Sequence, residues 1–318
     1  MISYAAFGFR LDSDFEMPEL SVARPGTDPV WRIVVGLPDR SIGDERLLGT
    51  DSVYGTIQVR AYASPSAIRL VYDDTGTFEI RPGDRTIAWH RGAVATDEAM
   101  RADLLGRVIA FAAHSDGALG LHASAVCVDG RAIALVGPKG VGKSTLAFAL
   151  VRQGARLITD DTLIVRFDAT GASWAVPGLQ RLRLWEDSAR ALGATVTADR
   201  GTKPALDVPP ADRRQDTSEP LDACYVLQPI DPVGPAARER LSEVCAAVAC
   251  VSFSKLGSLA GGEEAIATLD RCARVARAVP VYTMDVPRDL RRLDGIITDV
   301  FEWHRQVSPN AMCGGCVS

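Results

Sequence analysis

The chain has 318 residues and a mass of 34.0 kDa, room for about two domains of ordinary size. Hydrophobic residues make up 47% and charged residues 24%, the balance of a globular protein rather than a disordered one. A formal charge of −5 and a pI near 5.5 argue against a nucleic-acid binder held by phosphate neutralisation, and no apolar run reaches the roughly 18 residues that span a bilayer. The first twenty residues carry Arg10, Asp12, Asp14, Glu16 and Glu19 and lack the apolar stretch of a secretory signal. Seven cysteines are an odd number for a disulfide framework. The expectation is a cytoplasmic protein with no membrane and no nucleic-acid partner.

Residues 1–92 read as β-rich. Short β-branched and aromatic runs at 30–35, 56–62, 67–72, 77–80 and 86–89 alternate with turn signals at Pro25-Gly26, Ser64-Pro65, Asp73-Asp74-Thr75-Gly76 and Pro82-Gly83-Asp84. This spacing predicts hairpins in an antiparallel sheet. Residues 93–120 form a linking segment, in which Met100, Leu104, Val108 and Phe111 fall at helical spacing over 96–113. A second domain is expected over 121–308. It opens with a strand at 121–128, an Asp129-Gly130 hairpin turn, and an apolar strand at 132–136. A glycine-rich loop at 137–142 and a helix at 143–153 follow. A short strand at 157–158 ends in Asp160-Asp161, and 163–167 continues as strand. Residues 193–220 read as a long loop, or as a lid ordered by substrate. The rest predicts a strand at 225–227, helices at 239–249, 263–278 and 290–305, and a strand at 281–284. Residues 309–318 read as a flexible tail, whose Cys313 and Cys316 lack two of the four ligands zinc uses. Cys127, Cys224, Cys245, Cys250 and Cys272 read as core residues.

The chemistry is concentrated after the hairpin. Gly137-Pro138-Lys139-Gly140-Val141-Gly142-Lys143-Ser144-Thr145 matches G-x-x-x-x-G-K-[ST], the P-loop or Walker A pattern, at every defined position. Glycines let successive backbone N–H groups curl inward as an anion nest, and the helix that follows adds its unpaired donors and positive dipole end. Lys143 would reach the β- and γ-phosphates, and Ser144 would ligate Mg²⁺. Two details narrow the class. The strand that feeds the loop is the second arm of a tight hairpin. Asp160 follows Lys143 by only 17 residues, so a doubled acid lies on the strand directly after the P-loop helix. One carboxylate of such a pair can serve the metal while the other accepts a hydroxyl proton. His122 opens the hairpin, where the antiparallel arms bring it toward the loop, within reach of the phosphates or of Asp160.

Together, His122, the Asp129-Gly130 hairpin, the P-loop and Asp160-Asp161 resemble the catalytic domain of the HPr serine kinase/phosphorylase family, over about residues 121–167. That family is related in fold to ATP-dependent phosphoenolpyruvate carboxykinase. The resemblance implies an α/β (α+β) architecture: a β-rich N-terminal domain followed by a P-loop kinase domain. It implies ATP and Mg²⁺ as cofactors and a serine hydroxyl as acceptor. It implies Asp160 as general base, Lys143 on phosphate, and Ser144 with Asp161 near the metal. The stretch 177–185 departs from the family, because it lacks the glycine-rich signature that engages HPr. The N-terminal Tyr4-Ala5-Ala6-Phe7-Gly8-Phe9, Asp12-Ser13-Asp14-Phe15 and Pro18-Glu19-Leu20 are similar instead to HPr-kinase-like proteins encoded beside peptide natural-product genes, as are Leu182-Arg183-Leu184-Trp185 and Val279-Pro280-Val281-Tyr282. Several of those are lasso-peptide kinases, which phosphorylate a serine of a precursor peptide.

Lys203 is the candidate extra cation over the transferring phosphoryl group, with Arg213-Arg214 nearby in sequence. Arg181 and Arg183 alternate on an expected strand. An exposed edge strand within 1–92 would take an extended peptide by β-augmentation, and deletion of that region would then spare nucleotide binding. Three readings stand at this point: a kinase of a peptide or small protein, a kinase of free serine or another metabolite, and a non-catalytic nucleotide-binding regulator. A homo-oligomer is compatible with each.

Overall fold

The computed structural model describes residues 1–24, 26, 29–36, 44–53, 55–193, 205–207, 217–230, 237–287 and 289–304. Lys203, Arg213, Arg214, Cys313, Cys316, the 309–318 tail and most of 193–220 lie outside those residues.

Nine strands form the first sheet: β1 (Ile2–Ala6), β2 (Phe9–Ser13), β3 (Ser21–Val22), β4 (Val30–Val35), β5 (Arg46–Val53), β6 (Ile57–Ala63), β7 (Ile68–Tyr72), β8 (Gly76–Arg81) and β9 (Thr86–Arg91). Their order is β3-β1-β2-β4-β9-β8-β7-β6-β5. Alternation points Trp31 and Ile33 of β4, and Val59 and Ala61 of β6, into the core. The hairpins of the expected antiparallel sheet are antiparallel over β5 to β9, but β4 departs from it, lying parallel to both β2 and β9. Turn chemistry reports only local hairpins, and β4 inserts between strands that its flanking turns do not join.

The inner face of this sheet meets a helix of two segments, α1 (Asp97–Asp103) and α2 (Ile109–Ser115), joined by a π-helical turn at Leu104–Val108. Thr96 caps it, its side chain accepting from the Ala99 N–H at 3.1 Å. Met100, Leu104, Val108 and Phe111 are all buried. The same core takes in Ile164, Val176, Leu256 and Leu259, so it continues into the second half of the chain. The N-terminal sheet thus shares one buried cluster with residues of the second half of the chain.

The second sheet contains β10 (Leu119–Leu121), β11 (Ala123–Val128), β12 (Arg131–Val136), β13 (Arg156–Thr159), β14 (Leu163–Phe167), β15 (Ser173–Val176) and the long strand Glu219–Ile230, in which the expected 225–227 is only the middle. A separate ribbon, β16 (Arg181–Arg183) with β17 (Ala205–Asp207), precedes that long strand, which is β18. β19 (Arg238–Arg240) and β20 (Val281–Pro287) complete the set. The order is β10-β14-β15-β18-β12-β11-β13, with β20 parallel on β18 and β19 antiparallel on β20. The helices are α3 (Lys143–Arg152), α4 (Glu186–Ala191), α5 (Glu243–Ser252), α6 (Glu263–Ala278) and α7 (Leu293–His304). Period-two alternation splits β11 and β12 between two layers. Ala123, Ala125, Ala132 and Ala134 face α5 and α6, while Val126, Val128, Ile133 and Leu135 face α3 and α7.

Three further expectations change. The 239–249 helix begins only at Glu243, because Ser242 caps it through the Cys245 N–H and residues 238–240 pair with β20 instead. Cys245 is exposed rather than core. The 121–128 strand is broken at His122 into β10 and β11, which pair with different neighbours. Among the described residues, no helix is long and apolar enough to cross a membrane.

Asp103 sits under the first sheet, accepting from Thr75 Oγ1 at 2.6 Å. Burial pushes its carboxyl up to about 7 from 3.8. Between those values the folded state holds a proton that the unfolded state has released, so stability falls as pH rises through the window. Asp103→Asn keeps an acceptor for Thr75 and removes the buried charge. Its melting temperature should exceed that of the parent protein at pH 8, and the gain should shrink toward zero at pH 4.

Candidate functional site

β11 is antiparallel to β12 on one side and to β13 on the other, so β12 and β13 run in the same direction and end together. Ala123 lies across from Val136, and Ala125 across from Thr159. The P-loop leaves the end of β12, Asp160 leaves the end of β13, and His122 precedes the start of β11 between them. Three segments separated in sequence thus open at one end of the sheet.

The loop backbone is shaped by glycines at positive φ. Gly137 (150°), Gly140 (86°) and Gly142 (105°) lie outside the range of ordinary side chains, and Gly142 immediately precedes α3. A Cβ on Gly137 would also press on Val141 Cγ1 at 3.0 Å. Lys143 is buried and folds back on the loop, donating from Nζ to the carbonyls of Gly137 (2.8 Å) and Pro138 (3.1 Å). Ser144 and Thr145 stand in the first turn of α3, whose N-terminal donors face the loop. Lys139 is exposed at the loop tip.

Asp160 is 4% exposed. Its Oδ1 accepts from Ser124 Oγ at 2.5 Å and from Ser144 Oγ at 3.0 Å. Burial raises its carboxyl above the ordinary range, and the two hydroxyls partly offset that. Asp161 has φ 70°, in the left-handed region. It is half-exposed, with Lys255 Nζ donating to Oδ2 at 2.6 Å and His122 Nδ1 3.2 Å from Oδ1. Burial opposes its ionisation, but Lys255 and His122 prevail and hold the carboxyl well below the usual range.

Lys255 is placed by main chain. The His122 N–H donates to Phe253 O (2.7 Å), the Lys255 N–H donates to Gly120 O (2.9 Å), and Leu121 bridges Ser254. The turn after α5 is thereby stitched onto the β10–β11 break.

The expected residues come together, with two changes of partner. Ser144 touches Asp160, while the carboxylate of Asp161 meets Lys255 and His122. His122 therefore pairs with Asp161 and not with Asp160. Ser124 and Lys255 were not anticipated. A serine inside the otherwise apolar β11 was a visible signal. Lys255 had none, since it lies 94 residues beyond Asp161 and outside any motif. Arg183 presents only its N–H toward Asp160 Oδ2, at 3.5 Å.

The residues fit a nucleotide with its metal. The nest and α3 suit an anion, while Ser144 and the acid pair offer hard oxygen ligands. Among the described residues no group of three or more His, Cys, Asp or Glu could hold a metal alone. A Mg²⁺ shared with phosphate oxygens needs no such group, since one or two protein oxygens suffice.

No protein-family model matches the chain, and no curated protein matches it. Among solved structures, it is similar to the HPr(Ser) kinase/phosphatase from Coxiella burnetii, with 13% identity and a TM-score of 0.33, over 58% of this chain and 88% of that one. A likeness that remote carries no argument, and function is read from the site.

Ser124→Ala removes a buried hydrogen bond to a carboxylate, and should lower the unfolding free energy by about 2 kcal/mol. Urea denaturation followed by circular dichroism measures this. An unchanged midpoint would mean that Asp160 does not depend on Ser124.

Proposed function

We propose that the protein is an ATP- and Mg²⁺-dependent kinase of HPr-kinase type that phosphorylates a serine hydroxyl of a peptide, with a lasso-peptide precursor as the acceptor class. The observation that carries this reading is the hydrogen bond between Ser144 and Asp160. It joins the anion nest, a hydroxyl suited to Mg²⁺, and a buried acid into one site. The peptide class rests on the resemblance carried by residues 4–20, 182–185 and 279–282.

In this reading the N–H groups of 137–144 bind the polyphosphate, and Lys143 moves from the carbonyls of Gly137 and Pro138 onto the phosphates. Ser144 and Asp161 would hold a metal ion, Asp161 being kept anionic by Lys255 and His122, and such an ion would supply neutralisation of charge on the phosphate oxygens. Asp160 Oδ1 already receives two serine hydroxyls, while Oδ2, met by the Arg183 N–H at 3.5 Å, keeps a lone pair for the acceptor hydroxyl. The acceptor oxygen attacks the γ-phosphorus, the bond to the ADP oxygen breaks, and the hydroxyl proton passes to Asp160.

Transfer from γ-labelled ATP should be measured with serine-containing precursor peptides and with free serine. Asp160→Asn should lower transfer by about 100-fold or more; an unchanged rate removes Asp160 as the base. Lys143→Met should weaken binding of a fluorescent ATP analogue by about tenfold or more, since it removes the charge on the phosphates. Transfer to free serine alone would replace the peptide reading, and binding without any transfer would make the protein a nucleotide-dependent regulator.

The peptide would add to β5. At the other end of the sheet, β3 has two residues, whereas β5 has eight and exposes Leu47. β5 also adjoins the segment that follows Lys255, with Gly49 packed on the Ser258 carbonyl so closely that a Cβ would come within 2.0 Å. Leu47→Asp should raise KM for the peptide about tenfold and leave ATP binding unchanged. Equal KM values would place the peptide elsewhere.

A further inference from the structure

We infer that Phe7 is a positioning residue for Asp160, which makes the N-terminal sheet part of the phosphoryl-transfer apparatus; the inference rests on the role of Asp160 given above. β13 is the last strand of its sheet, so its outer edge needs hydrogen-bonding partners. Residues 177–180 supply them. The Gly178 N–H donates to Ile158 O (3.1 Å), the Asp160 N–H donates to Leu179 O (2.8 Å), and Gln180 Nε2 donates to Leu157 O (3.4 Å). The direction in which Asp160 leaves the strand is fixed by this segment from outside and by Ser124 and Ser144 from inside.

The segment is itself pinned by the β1–β2 hairpin. Phe7 donates its N–H to Pro177 O at 2.6 Å. Its ring is fully buried against Gly178, where a Cβ would lie 2.6 Å from Phe7 Cε1 and 2.5 Å from Thr159 Oγ1. Phe7 holds φ 59°, a conformation that bulky side chains rarely adopt. Such strain persists only where surrounding contacts over-determine it, and here both the N–H and the ring are engaged. Beside it, the Arg166 guanidinium lies 4.8 Å over the Phe9 ring and donates to Gly8 O at 3.4 Å. The tip of the first sheet thus seats against the strand end that carries the acid.

Phe7→Gly keeps the left-handed turn and deletes the ring; Phe7→Leu is the milder variant if the first does not fold. Phe78→Leu, buried in the same sheet against Tyr72 and Trp89, is the control for general destabilisation. Two readouts are needed: amide hydrogen exchange over 157–163 and 177–181, and kcat with KM for ATP. The expected result is faster exchange confined to those segments and a kcat about tenfold or more lower, with KM for ATP within about twofold. Unchanged exchange, unchanged kcat, or an equal kcat loss in Phe78→Leu at matched melting temperature would overturn the inference. The exchange readout does not depend on activity. If the unaltered protein phosphorylates no serine, the kinase reading fails, while faster exchange at 158–160 in the Phe7 variants still shows that the hairpin seats the acid.

Discussion

The site depends on one strand pairing. β11 bonds antiparallel to β12 and to β13, and this forces the two outer strands to finish at the same end of the sheet. The P-loop and the acid pair inherit their proximity from that register, and so does the break at His122. A one-residue slip would send Val126 and Val128 to the α5/α6 face and the alanines to the other, so the distribution of large and small side chains holds the register in place. Core packing and site assembly are the same constraint seen from two sides.

The electrostatics follow from which way each acid leaves its strand. Asp160 points inward, where two hydroxyls meet it and burial disfavours its charge. Asp161, one residue later and in a left-handed conformation, points to Lys255 and His122 and stays ionised. Two adjacent carboxylates beside an anion-binding loop would repel both each other and a polyphosphate if both stood free. Here each has its own partners, and Lys143 is bonded to the loop carbonyls of Gly137 and Pro138. The chain's overall charge of −5 has little bearing on such a site, because a nest of N–H groups and a few local cations act over a few ångströms, within the screening length of the solvent.

The hairpin, the P-loop, the helix after it and the strand ending in Asp160 were legible because each is encoded by contiguous residues. Asp129-Gly130 sets a turn with both residues at positive φ, and Gly137, Gly140 and Gly142 occupy positions that need it. The first sheet was legible only in part. Its alternating runs marked strands, but the parallel insertion of β4 and the hairpin tip at Phe7-Gly8 depend on partners far along the chain. Lys255 was invisible for the same reason: a lysine after a helix carries no signal until the turn at 253–255 is laid along 120–122.

The sequence by itself determined the groups on offer: a glycine-rich loop, a lysine, a serine hydroxyl and a pair of acids, all dictated by local backbone freedom and residue type. The tertiary structure decided how those groups are partnered. It put Ser144 on Asp160, gave Asp161 to Lys255 and His122, and seated the N-terminal hairpin against the strand end that bears the acid. Those pairings arise between residues from 16 to more than a hundred positions apart, where burial and strand register fix the geometry and no local pattern records it.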